Sequence, residues 1–412
     1  MVPITSARLR TVARLGATAL LGLVAAIAIP GVASADAVRD DQWQLQELNA
    51  TDAWQLADGA DVVVAVVDSG VDAAHPDLAG QVLPGVDLVA TDGGDGRTDP
   101  VGHGTAVAAF IAGRSDDTDG VMGLAPHAKI LPVRVLDAKN RYDDPVIVAE
   151  GVQWAVDHGA KVINLSLGGS YNSALADALD YAFARDVVVV ACAGNVMPGG
   201  TTEVWYPAYE PGVVAVAGTG RDLRVGDPLW GGSLTGAATV LMAPATDMLA
   251  AYPGNRYRRV EGTSFATPIV SATAALIRSK YPTMSAANVV ERLTASATDV
   301  GVAGRDSRYG FGIVNPVGAL QEPIAEVEAN PLDNADPPPG VARFGPATQP
   351  PAADSAPPSP DATTPPAVSR YRLIPIEDRP VEPADGDRTT GAASRSTRRT
   401  SDVAHAQLPP SA

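Results

Sequence analysis

The chain has 412 residues, with 47 acidic and 30 basic side chains and a formal net charge of −17 at pH 7. That negative excess argues against a nucleic-acid partner, because binding to phosphates depends largely on Lys and Arg. The single cysteine, Cys192, excludes an internal disulfide framework. The chain is long enough to bury a large core without covalent cross-links.

Residues 1–35 have the pattern of a secretory signal peptide. Three arginines precede an uncharged run of 15 residues from Leu15 to Ile29, and Ala33-Ser34-Ala35 forms a small-residue cleavage site. The run is shorter than the roughly 20 residues of a membrane-spanning helix, which favours cleavage over an uncleaved anchor. We therefore expect a secreted or cell-envelope protein that begins at Asp36, with no transmembrane anchor after the signal peptide. Removal of the three arginines leaves 27 basic against 47 acidic residues, a net charge of −20.

Residues 36–60 form an N-terminal extension that is too short to fold independently. It contains Trp43, Leu45, Leu48 and Trp54, whose spacing suggests that they dock on the surface of a larger domain. We interpret 36–60 as a segment that packs along that domain rather than as a separately folded pro-domain.

Residues 61–325 alternate between apolar strands and helical segments. Continuous apolar strands separated by helices are typical of a mostly parallel sheet that is covered on both faces. The predicted fold is therefore α/β, with three layers in the order α/β/α. The predicted strands are 62–67, 130–135, 162–167, 187–191, 213–217 and 240–243, and the predicted helices are 103–113, 146–158, 173–184, 265–279 and 285–296.

Residues 326–412 change in composition. Pro, Ala and Asp dominate from Asn330 to Pro366, and Arg, Ser and Thr are frequent beyond. Such a segment buries too little apolar surface to offset the entropy lost on ordering, which predicts a disordered tail.

A serine near the start of a long helix is the first candidate for catalysis. Ser264 follows Gly262 and Thr263 and precedes an apolar run from Ile269 to Ile277. Pro268 is expected within the first helical turn, where N–H groups have no intrahelical partner. Ser264 is either a helix N-cap or an acyl-transfer nucleophile beside free N–H groups that attract negative charge.

Three further residues favour the nucleophile. Asp68 ends the first strong strand, His103 lies between two glycines at a helix start, and Asn195 follows the strand 187–191. A serine nucleophile needs a base, a carboxylate that orients the base, and donors for the oxyanion. His103, Asp68 and Asn195 supply one of each, and the carboxyl ends of parallel strands are where ligands bind.

With these motifs the chain resembles the subtilisin-type serine proteases, or subtilases, over roughly residues 40–322. The resemblance rests on the motifs around Asp68, His103 and Ser264, which occur in the order expected for that family. It implies a catalytic triad of Asp68, His103 and Ser264, with Asn195 as an oxyanion donor beside the Ser264 N–H. The implied activity is endopeptidase cleavage of polypeptides through an acyl-enzyme, with no cofactor required.

The same resemblance implies the substrate-binding residues. They are two backbone segments: Ser166, Leu167 and Gly168, and Ala193 with Gly194. The first is expected to pair with an extended peptide, a mode of binding that makes few demands on substrate side chains. Cys192, next to the second segment, is expected to be a buried, unreactive thiol, because nothing cationic nearby would lower its pKa.

Within the subtilases, the chain resembles the actinobacterial mycosins, which are attached to type VII secretion systems. The shared features are the signal peptide, the segment Gly94–Asp99 before the histidine motif, and the proline-rich end. Mycosins usually carry a C-terminal membrane helix and disulfide cysteines, which this sequence does not show. The resemblance implies type VII secretion components as partners. It also leaves open a second function, that of a secretion-machinery component with a mainly structural role and restricted proteolysis.

An acidic stretch, 116–120, has two interpretations. Its three aspartates and one threonine could form a calcium loop, because hard cations take several oxygen ligands from a flexible loop. The spacing does not match an ordered calcium-loop pattern, which favours a solvated acidic turn. No metal-binding residues are assigned.

Overall fold

A parallel sheet forms the centre of the molecule. The computed structural model describes residues 36–115, 120–221, 223 and 226–333. In chain order the strands of this sheet are β1 (Val63–Asp68), β2 (Val86–Asp87), β3 (Lys129–Arg134), β4 (Val162–Leu165), β5 (Val188–Cys192), β6 (Val214–Thr219) and β7 (Leu241–Pro244). They lie in the order β2-β3-β1-β4-β5-β6-β7, and every neighbouring pair is parallel. Their valine-rich sequences suit a sheet that is buried on both faces.

Helices and one hairpin surround the sheet. The helices are α1 (Asp36–Asp40), α2 (Trp43–Glu47), α3 (Ala50–Trp54), α4 (His103–Ala112), α5 (Val146–Asp157), α6 (Ser173–Phe183), α7 (Thr263–Lys280), α8 (Ala286–Ala295) and α9 (Pro316–Gln321). The hairpin consists of β8 (Met248–Tyr252) and β9 (Arg256–Val260), which pair antiparallel directly before α7.

Two contacts distinguish the faces of the sheet. Ser271 of α7 donates a hydrogen bond to Asn164 of β4 (2.9 Å). Asn164 lies in register with Val66 of β1, so these two side chains point to the same face of the sheet. The side chain of Val67, the next residue of β1, points to the opposite face. There Gly151 of α5 packs so closely that an added Cβ would lie 3.4 Å from a methyl carbon of Val67. Helices α5 and α7 therefore cover opposite faces, and the predicted three-layer α/β/α fold is confirmed.

Every predicted strand and helix is present, and its ends differ from the prediction by at most two residues. One of these small differences changes an expectation. Helix α7 begins at Thr263, not at residue 265, so Pro268 is its sixth residue. The expectation that Pro268 lies in the first turn is wrong. Proline at this depth cannot donate to the carbonyl four residues earlier, which belongs to Ser264.

The N-terminal segment 36–60 lies against the rest of the fold. Trp43 is 5% exposed, and its indole N–H donates to the carbonyls of Thr246 and Asp247, both at 3.2 Å. Leu45 and Leu48 are also buried. The indole of the half-buried Trp54 donates to the carbonyl of Leu124 at 2.9 Å. These contacts join the segment to loops that follow β7 and α4.

The boundary predicted between the catalytic domain and the tail, at 325/326, is too early. The backbone N–H of Val327 donates to the side chain of Asn288, and Asn330 donates to the carbonyl of Gly212. Leu332 is 6% exposed and belongs to the main core. The folded part therefore reaches at least residue 333. The side-chain amides of Asn288 and Asn330 and the buried Leu332 attach the polar segment 326–333 to the domain.

Several predictions concern residues outside those described. They are the signal peptide, the tail from residue 334 onwards, and residues 116–119 of the acidic stretch. Between residues 36 and 333, with the gaps noted above, no helix combines the length and apolar character required to cross a bilayer.

Candidate active site

Three neighbouring strands bring the predicted site residues to one edge of the sheet. Strands β1, β4 and β5 lie side by side and run parallel, so their carboxyl ends meet. Asp68 is the last residue of β1, Ser166 follows β4 directly, and Asn195 lies three residues beyond β5. This is the edge at which ligands bind in open α/β sheets.

Asp68 and His103 form a buried pair. The Nδ1 atom of His103 lies 2.8 Å from one carboxylate oxygen of Asp68 and 3.0 Å from the other. Asp68 is fully buried and His103 is 4% exposed. The N–H of Ser69 also donates to Asp68 at 2.7 Å. A carboxylate held in this way fixes Nδ1 as the protonated nitrogen and leaves Nε2 as an acceptor.

Glycines on both sides of His103 allow this approach. Gly102 has a φ of 96°, and a Cβ there would lie 2.2 Å from the ring of Tyr252. A Cβ on Gly104 would lie 2.1 Å from the carbonyl oxygen of Gly70. A side chain at Gly102 would therefore collide with Tyr252 of β8, and one at Gly104 would push the start of α4 away from the turn that follows β1.

A second buried carboxylate, Asp99, was not predicted from the sequence. One of its oxygens accepts hydrogen bonds from the Ser69 hydroxyl and from the N–H groups of Val101 and Gly102. The other accepts from the N–H and the hydroxyl of Thr105. An aspartate before a helix start is a general capping signal, but its link to Ser69 depends on the tertiary fold.

The pKa of His103 results from opposing effects. Burial disfavours the imidazolium and would lower the pKa, whereas the charge and hydrogen bond of Asp68, and then the charge of Asp99, raise it. The carboxylates prevail, so the pKa of His103 is raised above its ordinary value of 6.5. Nε2 is buried and has no hydrogen-bond partner within the residues that the structure describes. It is therefore available to accept a proton from a group placed beside it.

Ser264 is the second residue of α7. Its backbone N–H makes no hydrogen bond to the described part of the chain, as expected for a first-turn donor. Its hydroxyl donates to the carbonyl of Ser166 at 3.2 Å. The ring of His103 packs against the ring of the next residue, Phe265, with centroids 5.3 Å apart. The histidine thus contacts the helical turn that carries Ser264, while the serine hydroxyl points to Ser166.

Asn195 is oriented by Thr263, the residue before Ser264. Its carbonyl oxygen accepts from the N–H of Thr263 at 3.0 Å and from the Thr263 hydroxyl at 3.1 Å. That hydroxyl in turn accepts from the N–H of Gly194 at 3.2 Å. Because the oxygen of the amide is occupied on the Thr263 side, Nδ2 is left as a donor for an oxyanion.

The predicted substrate-binding segments lie on two sides of Ser264. Ser166 contacts Ser264 directly, and Gly194 contacts Thr263. Gly168 is half-buried, and neither its N–H nor its carbonyl has a partner among the described residues. Leu167 and Ala193 are buried, and their carbonyls already accept from the Cys192 thiol and the Trp205 N–H. Gly168 therefore offers the free backbone groups that an extended peptide needs.

The Cys192 thiol lies beneath the site. Burial raises its pKa to about 12, although hydrogen bonding with Ser264 and Thr263 acts in the opposite direction. A thiol with this pKa is protonated at neutral pH, whereas the reactive form of cysteine is the thiolate. Cys192 is therefore a packing residue and not a second nucleophile.

The described residues provide no cluster of three or more metal-binding side chains. Asp77, which lies against Gly120 at the end of the acidic stretch, accepts hydrogen bonds from the Val121 N–H and the Tyr257 hydroxyl. Those bonds link Asp77 to the residue that follows Gly120 and to strand β9. Calcium binding at 116–120 stays a prediction, and no step of the chemistry depends on it.

Comparisons with known proteins agree with this geometry. The model of the subtilase family, peptidase S8, matches residues 59–312. Subtilisin DY of Bacillus licheniformis is 40% identical over 266 residues, which span 64% of this chain and 92% of that protein. Thermitase of Thermoactinomyces vulgaris is 38% identical over 281 residues, which span 68% and 96% of the two chains.

Solved structures of mycosins are also similar. MycP1 from the ESX-1 type VII secretion system is 29% identical with a TM-score of 0.62, covering 70% of this chain and 88% of that one. MycP1 from Mycobacterium smegmatis is 28% identical with a TM-score of 0.60, covering 73% and 89%. The family model and the subtilisins together establish that the chain belongs to the subtilases and is a serine endopeptidase.

Proposed function

We propose that this protein is an exported endopeptidase in which Ser264 is the nucleophile, His103 the general base and Asp68 the residue that orients the base. Asn195 Nδ2 and the Ser264 N–H hold the oxyanion. The observation that carries the proposal is the buried Asp68–His103 pair. Its 2.8 Å bond involves Nδ1 and leaves a buried Nε2 without a partner.

The reaction begins with a rotation of the Ser264 hydroxyl. In the free enzyme this hydroxyl donates to the Ser166 carbonyl, and catalytic hydrogen bonds often form only when substrate is bound. After rotation towards His103, the Ser264 oxygen attacks the scissile carbonyl carbon while its proton passes to Nε2. Asp68 stabilises the imidazolium, and the two oxyanion donors stabilise the tetrahedral intermediate.

The intermediate then collapses to an acyl-enzyme. His103 Nε2 returns its proton to the leaving nitrogen as the peptide C–N bond breaks, so the amine leaves neutral. Water attacks the ester with His103 again as base, which releases the acid and restores the Ser264 hydroxyl. The free N–H and carbonyl of Gly168 support the extended binding of the peptide through these steps.

A fluorophosphonate probe tests the assembled site directly, because it phosphonylates an activated serine. The purified protein beginning at Asp36 is expected to gain the mass of one phosphonyl group, which is the probe less the HF released, and the Ser264→Ala and His103→Ala variants none. Ser296→Ala, which changes a buried serine at the end of α8, is the matched control and should label as the unaltered protein does. A folded protein that does not label, as judged by circular dichroism, would contradict the proposal.

Export follows from the N-terminal pattern. We propose cleavage after Ala35, supported by the three arginines, the 15-residue apolar run and the small-residue cleavage site. N-terminal sequencing of the protein recovered from a producing culture is expected to begin at Asp36. Recovery of an intact N-terminus from a membrane fraction would contradict cleavage.

A second candidate function, participation in type VII secretion, is favoured by the likeness to MycP1. One MycP1 structure is described as that of an essential component of the type VII (ESX-1) secretion system. We propose that this chain has a related role. Deletion of its gene in the producing organism would then abolish export of type VII substrates. If the role is structural, the Ser264→Ala chain restores export, and if proteolysis is needed, it does not. Unchanged export after deletion would exclude the role.

A further inference from the structure

The backbone of Trp205 is fixed between the two substrate-binding segments. Its N–H donates to the carbonyl of Ala193 at 2.9 Å. The next residue, Tyr206, exchanges two backbone hydrogen bonds with Gly169, at 2.8 and 3.1 Å. Trp205 therefore connects the segment that contains Gly168 with the segment that contains Gly194.

The indole occupies the space beside both glycines. A Cβ added to Gly194 would lie 2.5–2.7 Å from three atoms of the indole ring. A Cβ added to Gly168 would lie 3.0 Å from Trp205 Cβ and 3.0 Å from ring atom Cε3. Trp205 is 4% exposed. The ring thus covers the side on which each glycine would otherwise carry a side chain, and little solvent-filled space remains there.

The substrate residue on the acyl side of the cleaved bond, P1, must enter this region. Its carbonyl carbon has to lie within reach of the Ser264 hydroxyl, with its oxygen at Asn195 Nδ2. Ser166 contacts Ser264 from one side, and Asn195 is tied to Thr263 on the other. The acyl group therefore lies between the two segments.

The distances along the backbone place the P1 side chain near the indole. Gly168 is two residues beyond Ser166, and Gly194 is one residue before Asn195. An extended chain rises about 3.3 Å per residue, so both glycines lie within roughly 7 Å of the residues that contact the reacting group. A side chain on the P1 Cα, one bond from the acyl carbon, reaches the space that the ring of Trp205 occupies.

We propose that Trp205 closes the P1 site, so that the enzyme cleaves after small residues, namely glycine, alanine and serine. This inference rests on the proposed roles of Ser264 and Asn195. A large P1 side chain would have to displace the indole, which exposes an aromatic surface of about 150–250 Å² and breaks its packing on two glycines. The backbone bonds of Trp205 and Tyr206 hold the ring in place against such a movement.

A series of peptides that differ only at P1 tests the inference. With the unaltered enzyme, kcat/KM for alanine at P1 should exceed that for phenylalanine or leucine by at least about 100-fold, since a single methylene is worth about 10–200-fold in a close-fitting pocket. Trp205→Ala should raise kcat/KM for phenylalanine by a similar factor and change the value for alanine less. Trp205→Leu, which keeps more of the packing, should extend cleavage to valine and leucine but not to phenylalanine.

The matched control is Trp154→Ala. Trp154 is a half-buried tryptophan that stacks on His158 with ring centroids 3.7 Å apart. It belongs to α5, which covers the face of the sheet opposite to α7. The Trp154→Ala enzyme should keep the P1 preference of the unaltered enzyme. A preference for large P1 residues in the unaltered enzyme, or an unchanged profile in both folded Trp205 variants, would overturn the inference.

A fluorophosphonate probe with a small alkoxy group separates this outcome from failure of the proposed function. If the enzyme labels at Ser264 but shows no preference for small P1 residues, the role of Trp205 is wrong and the triad stands. If folded enzyme neither labels nor cleaves any peptide of the series, the proposed catalytic roles are wrong.

Discussion

Ser166 and Ser264 exchange two hydrogen bonds. The hydroxyl of Ser166 donates to the backbone carbonyl of Ser264 at 2.7 Å, and the hydroxyl of Ser264 donates to the carbonyl of Ser166 at 3.2 Å. Pro268 explains the first of these bonds, because it has no N–H to donate to the carbonyl of Ser264, four residues earlier. The Ser264 carbonyl is thus left without its helical partner at a buried position, and Ser166 replaces it. The proline in α7 therefore leads to a direct link between Ser264 and the residue that follows β4.

This relationship predicts a coupling between Ser166 and Pro268. Ser166→Ala should reduce the free energy of unfolding by about 1–3 kcal/mol, because it leaves the buried Ser264 carbonyl unpaired. In a Pro268→Ala background the new N–H at 268 can satisfy that carbonyl, so the same change should cost less. The Asn164 amide loses its Ser166 acceptor in both backgrounds, and the double-mutant cycle cancels that part. Urea unfolding measures the four stabilities, and equal costs in both backgrounds would rule the coupling out.

Asn195 gives the second prediction. Asn195→Asp keeps an oxygen that can accept from Thr263 but replaces the Nδ2 donor with a negative charge. We expect kcat to fall by about 10²–10³ with a small change in KM, the size of effect known for loss of an oxyanion donor in subtilisin, a member of the same family. Thr263→Val removes a hydroxyl that donates to Asn195 and accepts from the Gly194 N–H, and it should lower kcat by about tenfold. Steady-state kinetics on one peptide compares the variants, and an Asn195→Asp enzyme within threefold of the original would refute the role.

The sequence predicted the sheet and its site edge because both depend on local patterns. Valine-rich runs specify buried parallel strands, and the glycines on both sides of His103 mark close packing at the start of α4. Helix α5 followed in the same way from the apolar residues Val148, Val152, Ala155 and Val156 on one side of it. The hairpin of β8 and β9 was not predicted, because β9 contains three arginines and has no alternation typical of a strand.

Asp99 and Trp205 could not be assigned from the sequence for a different reason. Asp99 contacts Ser69, which lies 30 residues away along the chain. Trp205 contacts Gly168 on a different loop and Gly194 at the start of its own connection between β5 and β6. In the sequence, Asp99 served only as the end of the segment Gly94–Asp99, without a predicted role at the site, and no motif pointed to Trp205. Their roles arise only when parallel strands bring separate loops to one edge, so composition and periodicity contain no signal for them.

The N-terminal segment supplies the third prediction. Trp43→Ala should lower the free energy of unfolding by about 3–5 kcal/mol, the usual cost of removing a buried aromatic side chain. Trp54→Ala, which truncates a half-buried tryptophan in the same segment, should cost less. Thermal and urea unfolding measure both. Limited proteolysis that removes 36–60 without lowering the melting temperature would show that the segment does not stabilise the domain.

The last prediction concerns the pH dependence of cleavage. His103 acts as a base only when neutral, so kcat/KM should rise with pH through the pKa of this residue. Because the carboxylates raise that pKa above 6.5, the midpoint of the acidic limb is expected above pH 6.5. Asp99→Asn removes one of the negative charges that favour the imidazolium. The pKa of His103 should then fall, and the acidic limb should move to lower pH.

A control and a stability measurement separate this electrostatic effect from damage to the fold. Asp99→Asn also places an amide group against the N–H and hydroxyl of Thr105, which both donate to Asp99, and should cost about 1–3 kcal/mol of stability. That loss alone lowers the amount of folded enzyme without moving the limb of the pH profile. Asp157→Asn, an exposed change on α5 across the sheet, should leave the limb in place. A limb that stays fixed or moves to higher pH in folded Asp99→Asn would mean that the charge of Asp99 does not act on His103.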